Sequence, residues 1–162
     1  PLPLTRAMDR TLALMRHGLA TGQAPEAPLM AEGEEDVRRL GARLADEGWR
    51  PDLVLCSPYR RALHTARLMA DALGPLAGLE TLNELVPEGD PAEAAAVVRA
   101  LAADHACVLV VSHLPLVGLL AAEFTGGSVT FTPGTWVEMA IPGDGRARLV
   151  RRVAPREPGA HA

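Results

Sequence analysis

The segment Thr11-Leu-Ala-Leu-Met-Arg-His-Gly18 decides the fold of this chain. Its first five residues form a short apolar run that is typical of a buried strand, and the run stops at a polar triplet that ends in a flexible glycine. This pattern predicts a strand that leads directly into a functional loop. Other apolar runs that end in the same way would place their polar residues beside it.

Strand-like runs alternate with helical patterns along the rest of the chain. Val37, Leu40 and Leu44 recur at helical spacing, and Gly48 closes the helix that they predict over residues 33–47. Further helices are predicted over residues 59–73, 92–103 and 115–124, and further strands over 53–56, 79–82, 107–111, 135–141 and 147–153. Pro142-Gly-Asp-Gly145 has the turn chemistry of a hairpin between the last two strands.

This alternation predicts an α/β fold, a three-layer α/β/α sandwich with a mostly parallel central sheet. Ligands bind outside the carboxyl ends of the strands in such sheets. Three predicted strands end in polar residues, so separate stretches of the sequence should converge on one edge. These residues are Arg16 with His17, Ser57 with Arg60 and Arg61, and Ser112 with His113.

The length of the chain bounds its domain organisation. The 162 residues suit one domain, which we place at residues 11–153. Residues 1–10 are expected to form an N-terminal extension, with Met8 as the natural start, and residues 154–162 a flexible C-terminal tail. No apolar run approaches the roughly 20 residues that a membrane-spanning helix needs, so no membrane segment is expected.

Composition limits the partners. The basic residues are 16 arginines without a lysine, which excludes Schiff-base chemistry and lysine-dependent phosphate loops. The net charge is −4 and the only aromatic side chains are two Trp, one Tyr and two Phe, so nucleic acid is not an expected partner. Cys56 and Cys107 are too few for a disulfide scaffold, which favours a reducing cytoplasmic location.

The convergent side chains suit an anion. Guanidinium forks match the oxygens of phosphate, and the helix starts near Pro58 and Pro115 add backbone N–H groups and positive dipole ends. Ser57 is expected to cap the first of these helices, with Pro58 in its first turn. A neutral imidazole that holds its proton on one nitrogen can attack phosphorus with the other. The set predicts phosphoryl transfer inside a positive cage, with no metal ion or other cofactor.

Three segments at the predicted strand ends contain these polar residues: Leu14-Met-Arg-His-Gly18, Ser57-Pro-Tyr-Arg-Arg-Ala-Leu-His-Thr-Ala66 and Val111-Ser-His-Leu-Pro-Leu-Val-Gly118. They resemble the three motifs of the histidine phosphatase superfamily, most closely its small SixA-like phosphohistidine phosphatases. Residues 84–90, Glu-Leu-Val-Pro-Glu-Gly-Asp, also resemble the connecting segment of that subgroup.

The resemblance implies a phosphoglycerate mutase-like fold and a role for each matched residue. His17 would be the phosphorylated nucleophile, Arg16 and Arg61 would hold the phosphate, and His113 would lie opposite and donate to the phosphoryl group. Ser57 either binds the phosphate or holds the local structure. One departure is Ala27, which stands where members of the subgroup often have an arginine before a Pro-Leu pair.

An acid for the leaving group is harder to assign from the sequence. Enzymes of the family that act on phosphate esters usually use an acidic side chain, for which Glu84 is the candidate, with Asp90 behind it. A phosphohistidine substrate needs less help, because imidazole leaves with a pKa of roughly 6.5 whereas an alkoxide is a very poor leaving group.

Other nucleophiles fit the sequence less well. Cysteine phosphatases place an arginine six positions after the nucleophile, but the residue six positions after Cys56 is Ala62. Ser112 does not lie in a Gly-x-Ser-x-Gly elbow. The cysteines and histidines lack the count and spacing of a metal site.

Three functions remain open at this point. The first is a metal-independent phosphohistidine phosphatase that acts on a phosphorylated histidine-containing protein, since the short connections leave little chain for a lid. The second is a small-molecule phosphomonoesterase, and the third is a non-catalytic phosphate-binding module. The sequence leaves the oligomeric state undecided.

Overall fold

In the described part of the chain, the apolar runs of the sequence form a six-stranded sheet flanked by four helices. The structure is a computed structural model that describes residues 9–143 and 145–155. The strands are β1 (Arg10–Arg16), β2 (Leu53–Cys56), β3 (Gly78–Thr81), β4 (Cys107–Ser112), β5 (Trp136–Ile141) and β6 (Arg148–Val153). The helices are α1 (Ala31–Asp46), α2 (Arg60–Leu73), α3 (Pro91–Ala102) and α4 (Leu116–Thr125), and a short 3-10 helix spans Asn83–Leu85.

The sheet is mostly parallel, as predicted. Its strand order is β3-β2-β4-β1-β5-β6. The first four strands of the chain all run in the same direction, whereas β5 is antiparallel to both β1 and β6. β1 and β4 are therefore neighbours at the centre of the sheet, and their carboxyl ends, together with that of β2, lie side by side.

Two apolar layers cover the two faces of this sheet. Leu12 and Leu14 of β1 pack into a core shared with α3 and α4, and the alternating residues Ala13 and Met15 pack into a second core shared with α1 and α2. Alternation arises because successive side chains of a strand point to opposite faces. The predicted three-layer α/β/α sandwich is confirmed.

The start of α2 differs from the prediction. Its N-cap is Tyr59, and Ser57 lies two residues before it, so the expectation that Ser57 caps the helix with Pro58 in the first turn is wrong. The Ser57 hydroxyl instead accepts a hydrogen bond from the Tyr59 N–H at 3.2 Å. The local turn that Ser57 forms leaves its hydroxyl hydrogen free for another partner.

Parts of the expected termini and hairpin lie outside the described residues. Only Asp9 and Arg10 of the expected extension are described, and Arg10 belongs to β1. Only Ala154 and Pro155 of the expected tail are described. Asp144 of the expected turn is not described, but β5 and β6 pair antiparallel, as a hairpin requires. Within the described residues, the helices are too short or too polar to cross a membrane.

Candidate active site

The polar residues that follow β1, β2 and β4 meet at one edge of the sheet. Arg16 pairs in register with Ser112, and the His17 N–H donates to the Ser112 carbonyl at 3.0 Å, which extends the ladder by one residue. The Ser57 N–H donates to the carbonyl of Val111 at 3.1 Å. Backbone hydrogen bonds therefore fix the relative positions of the three polar segments, and the predicted convergence is confirmed.

His17 is oriented by the backbone of the next residue. Its side chain is buried, and Nδ1 lies 2.7 Å from the carbonyl oxygen of Gly18. Because a carbonyl oxygen can only accept, Nδ1 carries the proton and Nε2 keeps its lone pair. The Gly18 N–H is held at 3.0 Å by the hydroxyl of Thr65, a buried residue of α2. Gly18 is thus held through both its N–H and its carbonyl oxygen.

Two guanidinium groups lie beside this imidazole. Arg61, in the first turn of α2, is 4% exposed; its Nε donates to His17 Nε2 at 3.2 Å and its Nη1 to the Ala24 carbonyl at 2.8 Å. The half-buried Arg16 donates from Nη1 to the Phe131 carbonyl at 3.0 Å, and its buried Nε has no hydrogen-bond partner within the described residues. Unpaired donors of this kind suit a bound oxyanion.

His113 lies across from His17. The ring centroids are 5.0 Å apart and the planes meet at 61°. His113 Nε2 is 2.7 Å from the hydroxyl oxygen of Ser57, whereas the buried Nδ1 has no hydrogen-bond partner within the described residues. Since Ser57 occupies Nε2, Nδ1 is the ring nitrogen that is left for a ligand.

Both imidazoles are neutral near pH 7. Burial lowers the pKa of His17 to about 4, and the positive charges of Arg61 and Arg16 act in the same direction, against the hydrogen bond to Gly18. Burial also lowers the pKa of His113 to about 3, with further contributions from His17 and from the two arginines. A neutral imidazole is the form that can act as a nucleophile.

An open cleft of about 620 Å³ surrounds these groups. Tyr59 stands at its mouth, with its ring centroid 5.2 Å from that of His113, and donates from its hydroxyl to Glu88 Oε1 at 3.1 Å. Among the described residues that line the cleft, Glu88 is the only carboxylate. Within the described part of the chain, no three His, Cys, Asp or Glu side chains lie together as metal ligands would.

Comparison with known proteins bears on the same motifs. The family model of the histidine phosphatase superfamily (branch 1) matches residues 12–86. Phosphohistidine phosphatase SixA of Escherichia coli (strain K12) is 37% identical to this chain over 132 residues, which cover 79% of this chain and 80% of SixA. The chain belongs to the histidine phosphatase superfamily.

One solved structure and a further relative agree with the assignment of this chain to the histidine phosphatase superfamily. A structure of the protein histidine phosphatase SixA complexed with tungstate matches with a TM-score of 0.83 and 32% identity, and covers 90% of this chain and 97% of that one. Adenosylcobalamin/alpha-ribazole phosphatase of Escherichia coli (strain K12) is 42% identical over 83 residues, but they cover only 46% of this chain and 39% of that enzyme.

The structure places Glu84 away from the cleft of this histidine phosphatase superfamily member. Glu84 lines a separate surface groove with Asn83, Gly89 and Glu93, so its position does not support the expected role as acid. Asp90, the second candidate, caps α3 by accepting from the Glu93 N–H at 2.8 Å. The cleft carboxylate, Glu88, lies in the connecting segment that the sequence singled out, but its position depends on the path of that loop.

Ser57 also differs from its expected role. It is fully buried and does not line the cleft, so it is not placed to bind phosphate itself; it contacts His113 instead.

Tyr59 lines the cleft and was not predicted as a site residue, although it lies within the second motif. Cys56 is fully buried, and burial raises the pKa of its thiol to about 12, which disfavours a thiolate nucleophile.

Proposed function

We propose that this protein is a phosphatase that removes the phosphoryl group from a phosphorylated histidine of another protein, through a phosphohistidine intermediate on His17. The observation that carries the proposal is the state of the His17 ring: Nδ1 is held by the Gly18 carbonyl, Nε2 has its lone pair beside Arg61, and the ring centroid of the second imidazole, His113, is 5.0 Å away. The similarity to SixA over most of both chains supports the same substrate class.

In the first step, the Nε2 lone pair of His17 attacks phosphorus in line with the leaving group. The phosphohistidine ring of the substrate carries a proton from solvent on its other nitrogen. As the new P–N bond forms and the old one breaks, the electron pair of the broken bond therefore stays on the leaving nitrogen and a neutral imidazole is released. In the second step, water attacks the phosphorus on His17, the electron pair of the P–N bond returns to Nε2, and the protons of the water leave with inorganic phosphate or pass to solvent.

Arg16, Arg61 and His113 would stabilise the charge on the phosphoryl oxygens during both steps. The Arg61 Nε–H that now contacts His17 Nε2 becomes available to an oxygen once that nitrogen binds phosphorus, and the buried Arg16 Nε provides a further donor. Because fixed cations supply this stabilisation, we expect activity to survive strong chelation. Complete loss of activity with EDTA would contradict the metal-independent mechanism.

The scarcity of acidic side chains among the described cleft residues supports phosphohistidine over phosphate esters. Glu88, the only carboxylate among the described residues that line the cleft, is exposed and already accepts a hydrogen bond from the Tyr59 hydroxyl. An ester would have to leave as an alkoxide without an acid, whereas imidazole leaves readily. The open cleft and the exposed Leu114 at its edge are consistent with access for a protein surface.

A small-molecule phosphomonoesterase is the second candidate. The cleft volume of about 620 Å³ lies in the range of small-ligand pockets, and the partial match to the alpha-ribazole phosphatase concerns an enzyme of that type. In either case we place the protein in a reducing compartment such as the cytoplasm, because Cys56 and Cys107 are free thiols.

The deciding experiment compares hydrolysis of a phosphorylated histidine-containing protein with a panel of phosphate esters, with His17→Ala as the control. We expect rapid turnover of the phosphoprotein, trapping of labelled phosphate on His17 in a single turnover, and no turnover by His17→Ala. Efficient hydrolysis of sugar phosphates with an untouched phosphoprotein would favour the second candidate. Phosphate binding without any phosphoenzyme or turnover would indicate a binding module.

A further inference from the structure

We propose that Ser57 is a positioning residue that fixes which ring nitrogen of His113 carries the proton. The inference rests on the proposed function, because it concerns how His113 meets the phosphoryl group. It starts from one hydroxyl that contacts two groups: Ser57 Oγ lies 2.7 Å from His113 Nε2 and 3.2 Å from the Tyr59 nitrogen, and the serine is fully buried.

The Ser57 hydroxyl has a single hydrogen, and this determines the directions of its hydrogen bonds to Tyr59 and His113. The backbone N–H of Tyr59 can only donate, so it occupies one lone pair of Ser57 Oγ. The single hydrogen of Ser57 is then available for His113 Nε2, which accepts it. A neutral imidazole that accepts at Nε2 carries its own proton on Nδ1.

The opposite tautomer satisfies fewer groups. If His113 Nε2 carried the proton, Ser57 Oγ would accept twice, and its own hydrogen would be left without an acceptor among the described residues. A buried donor without a partner is costly. In addition, Nδ1 would then present a lone pair to an anion. Hydrogen bonding and anion binding therefore favour the same tautomer.

The consequence concerns the ring nitrogen that has no partner. His113 Nδ1 is buried and makes no hydrogen bond within the described part of the chain, although His113 lines the cleft beside Arg16 and Arg61. Because the proton is already on Nδ1, this nitrogen donates a hydrogen bond to a phosphoryl oxygen directly. No proton has to move between the two ring nitrogens first. Ser57 thus acts through His113 and not by contact with the substrate.

Nitrogen NMR of the His113 imidazole at neutral pH, without substrate, tests the tautomer directly. We expect wild-type protein to show a protonated Nδ1 and an unprotonated Nε2. Ser57→Ala should give a mixture of tautomers, and Ser57→Thr, which keeps the hydroxyl, should restore the single form. A wild-type spectrum with the proton on Nε2 would overturn the proposal, and this measurement uses the wild-type protein alone.

Ser112→Ala is the matched control. Ser112 is an equally buried serine at the same sheet edge, but its hydroxyl donates to the Leu85 carbonyl at 2.8 Å and not to an imidazole. Ser57→Ala should weaken inhibition by inorganic phosphate about 10-fold, as expected for one lost oriented hydrogen bond to an anion. Ser112→Ala should leave the tautomer unchanged.

The two proposals fail in different ways. If Ser57→Ala keeps both the wild-type tautomer and the wild-type affinity for phosphate, the role of Ser57 is wrong even when the phosphoprotein is hydrolysed. If the tautomer depends on Ser57 but the phosphoprotein is not a substrate, the proposed function is wrong and the role of Ser57 stands.

Discussion

Two of the sixteen arginines lie where a guanidinium fork matters for the proposed chemistry. Arg61 spans from His17 Nε2 to the Ala24 carbonyl with two different nitrogens, and Arg16 holds the Phe131 carbonyl while its Nε stays unpaired within the described residues. A lysine side chain has a single nitrogen, so it would supply the charge but could not contact a backbone carbonyl with one nitrogen and present another to the phosphate. Composition alone does not identify these two residues, because arginine is the only fixed cationic side chain of the chain.

We therefore expect Arg61→Lys to lower kcat/KM about 100-fold, the lower end of the loss caused by removing one oriented donor from a charge-stabilising site. Arg60→Lys is the matched control, because Arg60 is exposed and its guanidinium hydrogen-bonds, among the described residues, only to the Glu26 carbonyl at 3.4 Å. It should change kcat/KM less than about twofold. Similar losses in the two variants, measured on the same phosphoprotein, would contradict the assignment.

The buried imidazoles also predict how stability depends on pH. The pKa of His17 is about 4 in the folded protein and close to the ordinary histidine value of 6.5 in the unfolded chain. Between these values the unfolded chain binds more protons, so the free energy of unfolding falls as the pH drops through this window. From pH 7 to pH 5 the loss should be on the order of 2 kcal/mol for this residue.

Denaturant titrations at pH 7 and pH 5 measure this loss. His17→Gln replaces the titratable ring by a neutral side chain, so its stability should depend less on pH than that of the wild type, and His113→Gln should behave in the same way because the pKa of His113 is lowered to about 3. Equal losses in the wild type and both variants would show that other groups cause the acid destabilisation.

At the scale of the elements, the positions of strands and helices could be predicted from local sequence patterns, whereas the identity of the acidic residue that lines the cleft could not. β2 occupies the predicted residues, and β1 differs by one residue at each end, because their apolar runs are buried on both faces. Glu84, Glu88 and Asp90 lie within one irregular segment without periodicity. Which of them faces the cleft depends on the backbone path through a 3-10 helix and the loop after it, and no local signal specifies that path.

The contact between α1 and the loop after His17 leads to a prediction for a glycine. A Cβ on Gly33 would overlap the Leu19 carbonyl oxygen and lie 2.8 Å from the Leu19 nitrogen. These are backbone atoms that cannot rotate away, and Leu19 lines the cleft. Gly33→Ala should therefore lower the free energy of unfolding by about 1–3 kcal/mol, the usual cost of overpacking, and also reduce kcat.

Gly127→Ala is the control for this prediction. A Cβ there has only the Thr125 hydroxyl oxygen nearby, at 3.9 Å, and Gly127 is exposed. We expect its thermal midpoint and its activity to stay close to wild type. If Gly33→Ala behaved like Gly127→Ala in both measurements, the loop after His17 would not depend on close packing against α1.

At the scale of the whole molecule, the negative net charge conceals a group of positive charges in the cleft. The chain has a net charge of −4, yet the base of the cleft holds Arg16 and Arg61 beside two neutral imidazoles. Glu88 stands at the mouth and is tied to Tyr59. A phosphoryl group that enters is attracted by the base, whereas an additional anionic group on the same substrate lies closer to the carboxylate and is repelled.

This arrangement predicts that Glu88 selects against substrates with more than one anionic group. Glu88→Gln should raise kcat/KM for a bisphosphorylated ester about 5-fold or more relative to a singly phosphorylated one, because removal of one nearby charge is worth about 1 kcal/mol at partly screened distances. The effect should shrink as salt is added. Glu84→Gln is the matched control, since Glu84 lines a separate groove and its loss should leave the ratio unchanged. An unchanged ratio in Glu88→Gln at low salt would show that the carboxylate at the mouth does not sense the charge of the substrate.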